Sequence, residues 1–131
     1  MLTRYNAKDC TVSVANVAIT GLGATMVTGE KDEEFFTPMV GAQGDIVKSV
    51  INNELGTVTI TVQPTSPQKS HLLGLAKQTE TFPLWVTNPG LRERFGGSQA
   101  SLKNYPSMSH GAEAEDMEFV FTVFDYAVTA T

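Results

Sequence analysis

The sequence contains few residues of the kinds that support covalent or metal-based chemistry. Among its 131 residues there are one cysteine and two histidines. A single cysteine excludes an intrachain disulfide and a zinc site of four thiolates. We expect Cys10, at the start of the strand-like run KDCTVSV, to be a small buried or half-buried apolar residue rather than a reactive thiol.

Long apolar runs and clusters of positive charge are also lacking. No window approaches the roughly 18 apolar residues of a membrane-spanning helix, and the first ten residues lack the apolar centre of a secretory signal. The sequence therefore predicts no membrane partner and a cytoplasmic location where the protein is made. Nine basic and fourteen acidic residues give a net charge of −5. This balance argues against sequence-specific DNA binding, which needs cations to displace counterions from phosphates.

The composition that remains is that of a folded domain. Hydrophobic residues make up 41% of the chain and charged residues 18%, which is typical of a soluble globular protein rather than a disordered one. The length favours a single domain spanning residues 1–131, large enough to pack a core without a metal or a disulfide.

Short apolar runs with a period of two predict many short strands. We predict strands at residues 11–20, 35–40, 45–51, 57–63, 81–88, 100–108 and 117–128. The phase of the first run slips at Ala15-Asn16, which predicts a bulge or a tight turn. Because Pro38 interrupts the second run, we expect an edge strand there. The Gly-rich and charged residues 21–34 indicate a long exposed loop.

The pattern also predicts how some of these segments pair. The polar sequence NNELG joins runs 45–51 and 57–63, and predicts a hairpin between them. The last run is apolar on both faces, so we expect it to be buried on both. Residues 89–99 are rich in turn-forming types, and residues 109–116 indicate a polar loop.

One helix is predicted in the middle of the chain. Ser66 suits the N-cap and Pro67 the first helical position. An apolar stripe of Leu72, Leu75 and Ala76 follows, and the helix is expected to end near Gln78. Many strands with one helix predict a mainly β (α+β) domain: a small β-sandwich, half-barrel or open barrel with one flanking helix.

Two motifs suggest chemistry, but each has a simpler interpretation. The run Ser66-Pro67-Gln68-Lys69 fits the Ser-x-x-Lys pattern of acylating enzymes, yet the partner motifs of that class are absent and helix capping explains the serine. Gly21 and Gly23 follow a strand as in a dinucleotide loop, but the third glycine and a following helix are missing.

The remaining polar groups form no metal or catalytic pattern. His71 and His110 have no spacing of paired metal ligands, and a pair of Cys10 with a histidine and Asp9 has nothing else to mark it. An acidic cluster indicates a solvated face or an interface more than a cation site: Glu113, Glu115, Asp116 and Glu118. We therefore predict no catalytic, cofactor-binding or metal-binding residues, no cofactor and no enzymatic activity.

Residues 40–75 resemble a known family. The turn and strand at 40–47, the alternating strand at 57–62 and the segment QPTSPQKSHLLGL at 63–75 are similar to the central signature of the tail tube proteins of contractile-tailed bacteriophages. The run FPLWVTN at 82–88 resembles the next strand of that family. The likeness covers about two-thirds of the chain.

The resemblance implies a structural subunit of a virion tail, assembled in the host cytoplasm. Six copies would form a ring, and the rings would stack into the inner tube of the tail, which conducts double-stranded DNA without binding it specifically. The implied partners are other copies of the chain, the tail sheath, the tape measure, and the baseplate and terminator proteins. We expect acidic side chains in the channel, with Asp45, Glu54 and Glu118 as candidates.

Two alternatives stay open on the sequence. The first is another virion component, such as a decoration or tail-completion protein. The second is a small hydrolase centred on Ser66 or Cys10.

Overall fold

The computed structural model describes residues 4–130 and is built mainly of short strands. The strands are β1 (Thr11–Val14), β2 (Val17–Ile19), β3 (Leu22–Lys31), β4 (Phe36–Val40), β5 (Ile46–Val50), β6 (Gly56–Val62), β7 (Phe82–Asn88), β8 (Glu93–Leu102), β9 (Met117–Val123) and β10 (Ala127–Ala130). The helix α1 (Lys69–Gly74) continues as the 3₁₀ turn Leu75–Lys77, and another 3₁₀ turn covers Ala7–Asp9. The predicted mainly β fold with one flanking helix is confirmed.

Eight strands form one antiparallel sheet that folds back on itself. The strand order is β2-β1-β7-β8-β9-β6-β3, and β10 pairs with β8 outside this path. β8 joins the two halves, because its first residues pair with β7 and β10 and its last three pair with β9. Gly96 lies within β8 at φ +129°, a backbone conformation that favours glycine.

One hydrophobic core lies between the two halves of the sheet. The inward residues of β6, Val58, Ile60 and Val62, are fully buried, as are Phe119 and Phe121 of β9. The Phe82 and Phe121 rings meet edge to face with centroids 6.0 Å apart, a favourable arrangement for an aromatic pair. This strict alternation of buried and half-exposed residues confirms the period of two predicted for β6.

The turn between β1 and β2 confirms the predicted phase slip. Ala15 and Asn16 have φ values of 51° and 67°, and the flanking residues Val14 and Val17 pair directly. Two consecutive positive φ angles are typical of a two-residue hairpin turn. The predicted 11–20 run is therefore two short strands rather than one.

The predicted loop at residues 21–34 is wrong, because ten of these residues form β3. β3 pairs with β6 at Leu22↔Val62 and again from Val27↔Ile60. Four residues of β3 therefore lie opposite one residue of β6, and this wide bulge hides the alternation that reveals a strand. The Gly and Thr residues that suggested a loop lie on an edge strand instead.

The predicted pairing of residues 45–51 with 57–63 is also wrong. β5 pairs with β4, in register from Phe36↔Val50 to Val40↔Ile46, while β6 pairs with β3 and β9. The turn Gly41–Asp45 closes the β4–β5 hairpin, with Gly44 at φ +90° and a Gly41 N–H bond of 2.8 Å to the Asp45 carbonyl. The polar segment 51–55 is a linker. β4 is an edge-type strand that contains Pro38, as expected.

The helix start differs in detail from its prediction. α1 begins at Lys69, two residues later than Pro67, and the Ser66 hydroxyl donates to the Thr20 carbonyl over 2.6 Å instead of accepting an N–H of the helix. Ser66 is buried, and the nearby carbonyl is the acceptor available to its proton. The end at Lys77 agrees with the expectation.

Two boundaries in the second half of the chain require correction. β8 starts at Glu93, inside the segment predicted as turns, and ends at Leu102. The last predicted strand is interrupted at residues 124–126, which separate β9 from β10. Its second face is not buried, since Glu118 is exposed and Val120 and Thr122 are only half-buried.

Candidate assembly surfaces

The most unusual surface is a hairpin that leaves the body of the protein. We call β4, β5 and their turn, residues 36–50, the projecting hairpin. Its strands form a separate two-stranded sheet, and every residue in it is exposed. Large apolar side chains on it are 42–71% exposed: Phe36, Met39, Val40, Ile46, Val47 and Val50. A patch of this kind on a soluble chain indicates an interaction surface.

Little within the chain stabilises the projecting hairpin. An isolated two-stranded hairpin is at most marginally stable in water. The Lys48 ammonium lies 4.7 Å from the centre of the Phe36 ring, and the Lys31 ammonium lies 4.9 Å from the ring of Phe35. Such exposed cation–π contacts contribute roughly 0.5–1 kcal/mol each. The apolar side chains themselves lack cover.

A second surface is the outer face of β3, β6 and β9, which we call the threonine face. The registers of these strands place on it Thr28, Glu30, Thr57, Thr59, Thr61, Glu118, Val120 and Thr122. The three β6 threonines are half-buried, and the two carboxylates are exposed. The face is therefore acidic and rich in threonine hydroxyl groups, and Val120 is its apolar residue.

The predicted channel residues occupy three different places. Glu118 lies on the threonine face, Asp45 ends the turn of the projecting hairpin, and Glu54 lies in the linker before β6. Their role in a channel stays a prediction. Glu30 lies on the same face as Glu118 but was not among the candidates, because it falls in the segment predicted as a loop. Its parity with Thr28 is the signal in the sequence that could have indicated its position.

A cleft lies at the end of the threonine face remote from the projecting hairpin. It has a volume of about 930 Å³ and is lined by residues of β3, β6, β9 and the segment after β8, including Ala24, Thr61, Lys103, Tyr105, Asp116 and Glu118. The hairpin leaves the sheet where β3 ends and β6 begins, whereas the cleft lies where β3 begins and β6 ends. Five residue steps, roughly 16 Å at about 3.3 Å per residue, separate the start of β6 at Gly56 from Thr61 at the cleft.

The sheet has free edges that are suited to pairing with other copies. β2 and β3 stand at the two ends of the strand order, and β10 pairs with β8 alone. β3 is ten residues long. A long edge strand presents a row of backbone N–H and C=O groups that can pair with another chain.

The Ser-x-x-Lys motif serves to attach the helix segment to the sheet. Ser66 is bound to the Thr20 carbonyl, and the Lys69 ammonium donates to the Pro64 carbonyl over 3.0 Å. Gln68 accepts from the Thr20 N–H and hydroxyl at 2.9 and 2.8 Å. These contacts give each polar side chain of the motif a structural role.

The other candidate residues also form no reactive site. Cys10 is half-buried, as expected, and this burial raises the pKa of its thiol, which makes the nucleophilic thiolate rarer. His71 Nε2 lies 3.2 Å from the Val14 carbonyl, and Gly21, at φ +69°, packs against Ser66. Within residues 4–130 no three or more potential metal ligands lie close enough together to hold an ion.

Asp125 binds the bulge of β8, where Ser98 and Gln99 lie between the residues that pair with Leu84 and Phe82. Its carboxylate accepts from the Ser98 hydroxyl at 2.6 Å and from the Ser98 and Gln99 N–H groups at 3.1 and 3.0 Å. Burial alone raises the pKa of this carboxyl group, but the hydrogen bonds from Ser98 and Gln99 outweigh it and lower the pKa below its usual value.

A protein-family comparison identifies the chain. The model of the family described as Bacteriophage PhiTE tail tube protein matches residues 8–127. The chain belongs to this tail tube family. It is therefore a structural component of a phage tail and not an enzyme, and the resemblance seen in the sequence is confirmed. A comparison with curated proteins found no match. No helix in the described part of the chain has the length and hydropathy to cross a membrane.

Solved structures with a similar fold include chains of a contractile injection system. A chain of the sheath/tube terminator of the extracellular contractile injection system PVC is similar with a TM-score of 0.68 and 14% identity, over 98% of this chain and 99% of that one. The sheath–tube complex of the same system gives a TM-score of 0.66 and 17% identity, over 98% and 93%. The tube-terminating cap of the anti-feeding prophage gives 0.65 and 12%, over 100% and 95%. At these identities the likeness shows the fold alone.

Proposed function

We propose that six copies of this chain form a ring and that the rings stack into the inner tube of a contractile tail, through which double-stranded DNA passes. The observation that carries the proposal is the projecting hairpin, whose apolar side chains are exposed in the single chain. Stacked copies would cover them. Membership of the tail tube family supplies the context. We also propose that residues 1–131 act as one tail tube domain, assembled in the host cytoplasm.

The lateral contacts of the ring would be made through strand edges. The free edge of β3 would pair with an edge strand of the next copy, so that the sheets continue around the ring. Closing a sheet in this way removes edges that would otherwise promote aggregation. Every second residue of the ten-residue β3 directs its N–H and C=O to the free edge. These roughly ten backbone groups would then be satisfied by a neighbour.

The threonine face is the best candidate for the channel wall. Its hydroxyl groups interact with water, and Glu30 and Glu118 would repeat around the ring. Six copies at −5 each give about −30 per ring. An acidic wall repels phosphates, so DNA would slide along it rather than bind.

The other half of the sheet, formed by β2, β1, β7 and the first residues of β8, would then face the tail sheath. On that side the Arg94 guanidinium lies 3.7 Å from the centre of the Trp85 ring. The similar chains come from a sheath–tube complex, a sheath/tube terminator and a tube cap. We propose a sheath, a terminator, a tape measure and a baseplate as partners here.

Electron microscopy of the purified protein tests this function. We expect hollow tubes whose end views have six-fold symmetry. Compact monomers or trimers at every concentration would contradict the proposal and favour a decoration or tail-completion protein. Rings with another symmetry would overturn the number six but leave the tube role in place.

A further inference from the structure

We propose that Arg94, stacked on Trp85, is the residue through which the outside of the tube binds a carboxylate of the tail sheath. The inference rests on the proposed sheath contact and adds the residues and the chemistry that would make it. It starts from one exposed contact, since the Arg94 side chain is exposed and its guanidinium lies 3.7 Å from the centre of the half-buried Trp85 ring.

The strand registers place this pair on a face of small residues. Two neighbouring rows lie on the outward side of β2, β1, β7, β8 and β10, and the residues between them, Val12 and Val86, are buried in the core. The first row is Ala18, Ser13, Trp85, Gly96 and Ala127, and the second is Thr11, Thr87, Arg94 and Thr129. We call these nine residues the tryptophan face. Trp85 and Arg94 are its two large side chains, so a partner lying on this face meets them first.

The stacked guanidinium is suited to a carboxylate. An arginine plane that lies against an aromatic ring keeps its N–H groups at the rim, where they can bind both oxygens of a carboxylate at once. Stacking also restricts the side chain before a partner arrives, which lowers the entropy cost of binding. Tryptophan and arginine are among the residues enriched at the energetically dominant positions of protein interfaces. The pair therefore combines a charged contact with an apolar one.

The charge of the tryptophan face differs from that of the whole chain. The chain carries −5, whereas Arg94 is the one charged residue among the nine of this face. An exposed cation with no carboxylate in either row attracts an acidic side chain of a partner. It also disfavours contact between the tryptophan faces of two copies, because two equal charges would meet. Duplex DNA fits less well, since binding to its phosphates draws on several cations.

Fluorescence of Trp85 tests the inference directly, because the chain contains one tryptophan. The chain would be produced with hydroxytryptophan, whose emission can be excited separately from that of sheath tryptophans. Acrylamide quenching should be equal in monomers and in bare tubes, since neighbouring copies leave the face open. Adding the tail sheath protein of the same phage to preassembled tubes should reduce the quenching about twofold or more, because aromatic residues central to an interface are shielded from water.

Substitution of Arg94 tests the charge. Arg94→Glu should weaken sheath binding to preassembled tubes about tenfold in a co-sedimentation titration, the size of a charge-assisted hydrogen bond. Arg94→Lys keeps the charge but loses the planar fork, so we expect a smaller loss of about threefold. Lys77→Glu makes the same change of charge at an exposed position outside the tryptophan face and should bind as the wild type does. Thermal unfolding and tube formation should be the same for all three variants and the wild type.

The outcomes separate this inference from the proposed function. Shielding of Trp85 in bare tubes, or failure of Arg94→Glu to form tubes, would assign the face to a contact between copies and overturn the inference. Arg94→Glu tubes that bind the sheath as tightly as the wild type, or an equal loss for Lys77→Glu, would overturn it while leaving the tube in place. Wild-type tubes that bind no sheath would overturn the sheath contact and the inference with it. A wild-type chain that forms no tubes would overturn the proposed function itself.

Discussion

The eight-stranded sheet and the projecting hairpin contain similar residues but bury them very differently. Ile60 in β6 is 0% exposed, whereas Ile46 in β5 is 71% exposed. Both lie in short strands rich in β-branched residues, which pack well on pleated surfaces. The two halves of the eight-stranded sheet cover each other's apolar residues. Within residues 4–130 the side chains of the projecting hairpin all stay exposed. On the proposed function, this exposed apolar surface is covered by neighbouring copies of the chain.

The largest difference in stability between the two regions should come from replacing a phenylalanine by alanine in each. Phe121→Ala removes a fully buried ring that contacts Phe82, and should lower the free energy of unfolding by about 3–5 kcal/mol. Phe36→Ala in the projecting hairpin removes only the exposed contact with Lys48 and should lower it by at most about 1 kcal/mol. Urea unfolding of the monomer measures both. Equal losses would show that the hairpin is part of the cooperative core.

A smaller effect is expected where an aromatic ring packs on a glycine. A Cβ at Gly29 would lie 2.6 Å from a Phe95 ring carbon, so Gly29→Ala should cost about 1–3 kcal/mol through overpacking. Gly41 in the projecting hairpin is a matched control, because the nearest atom to its Cβ position is 3.7 Å away. Thermal unfolding of the two variants should therefore differ, and a stable Gly29→Ala variant would contradict the tight packing of β3.

Asp125 provides a test that depends on pH. Because its pKa is lowered in the folded state, its stabilisation is present above the unfolded pKa, roughly 3.9, and is lost as the pH falls through the folded pKa. Asp125→Asn should destabilise the monomer by about 0.5–1 kcal/mol near neutral pH, since solvent screens this carboxylate, and reduce the loss of stability in acid. Asp45→Asn, in the exposed turn, should leave the acid dependence unchanged. Identical acid unfolding curves for wild type and Asp125→Asn would rule this role out.

The smallest effect on stability should accompany a complete loss of assembly. Val40→Ser with Ile46→Ser removes a paired set of exposed apolar side chains from the projecting hairpin. Monomer stability should change by less than about 0.5 kcal/mol. Tubes should nevertheless fail to form at concentrations where the wild type assembles, as seen by electron microscopy. Normal tubes from this variant would show that the apolar stem is not an assembly contact.

The same comparison explains which elements the sequence could predict. β6 and β7 alternate regularly because one face of each is buried in the chain itself, so their period of two is visible. β3 was missed because its wide bulge breaks the alternation and because six of its ten residues are glycine, threonine or charged. The alternation of apolar and polar residues reflects the burial of one face of a strand, and an edge strand with one solvated side buries few residues.

Pairing and side-chain roles were harder to predict than strands. Residues 45–51 fit a hairpin with either neighbour, and the positive φ of Gly44 closes it with β4. Ser66 has the sequence position of a helix cap, but the approach of Thr20, 46 residues away, gives its hydroxyl another partner. The acids of the threonine face were only partly found, since cross-strand register decides which side chains share a face.

Hydrogen exchange of the projecting hairpin tests the central claim most directly. The claim is that residues 36–50 are unprotected in the single chain and become covered by neighbouring copies. Mass spectrometry should show fast exchange of these amides below the assembly concentration and strong protection in tubes, while β6 and β9 are protected in both. A hairpin already protected in the monomer, or one that still exchanges fast in tubes, would contradict the account.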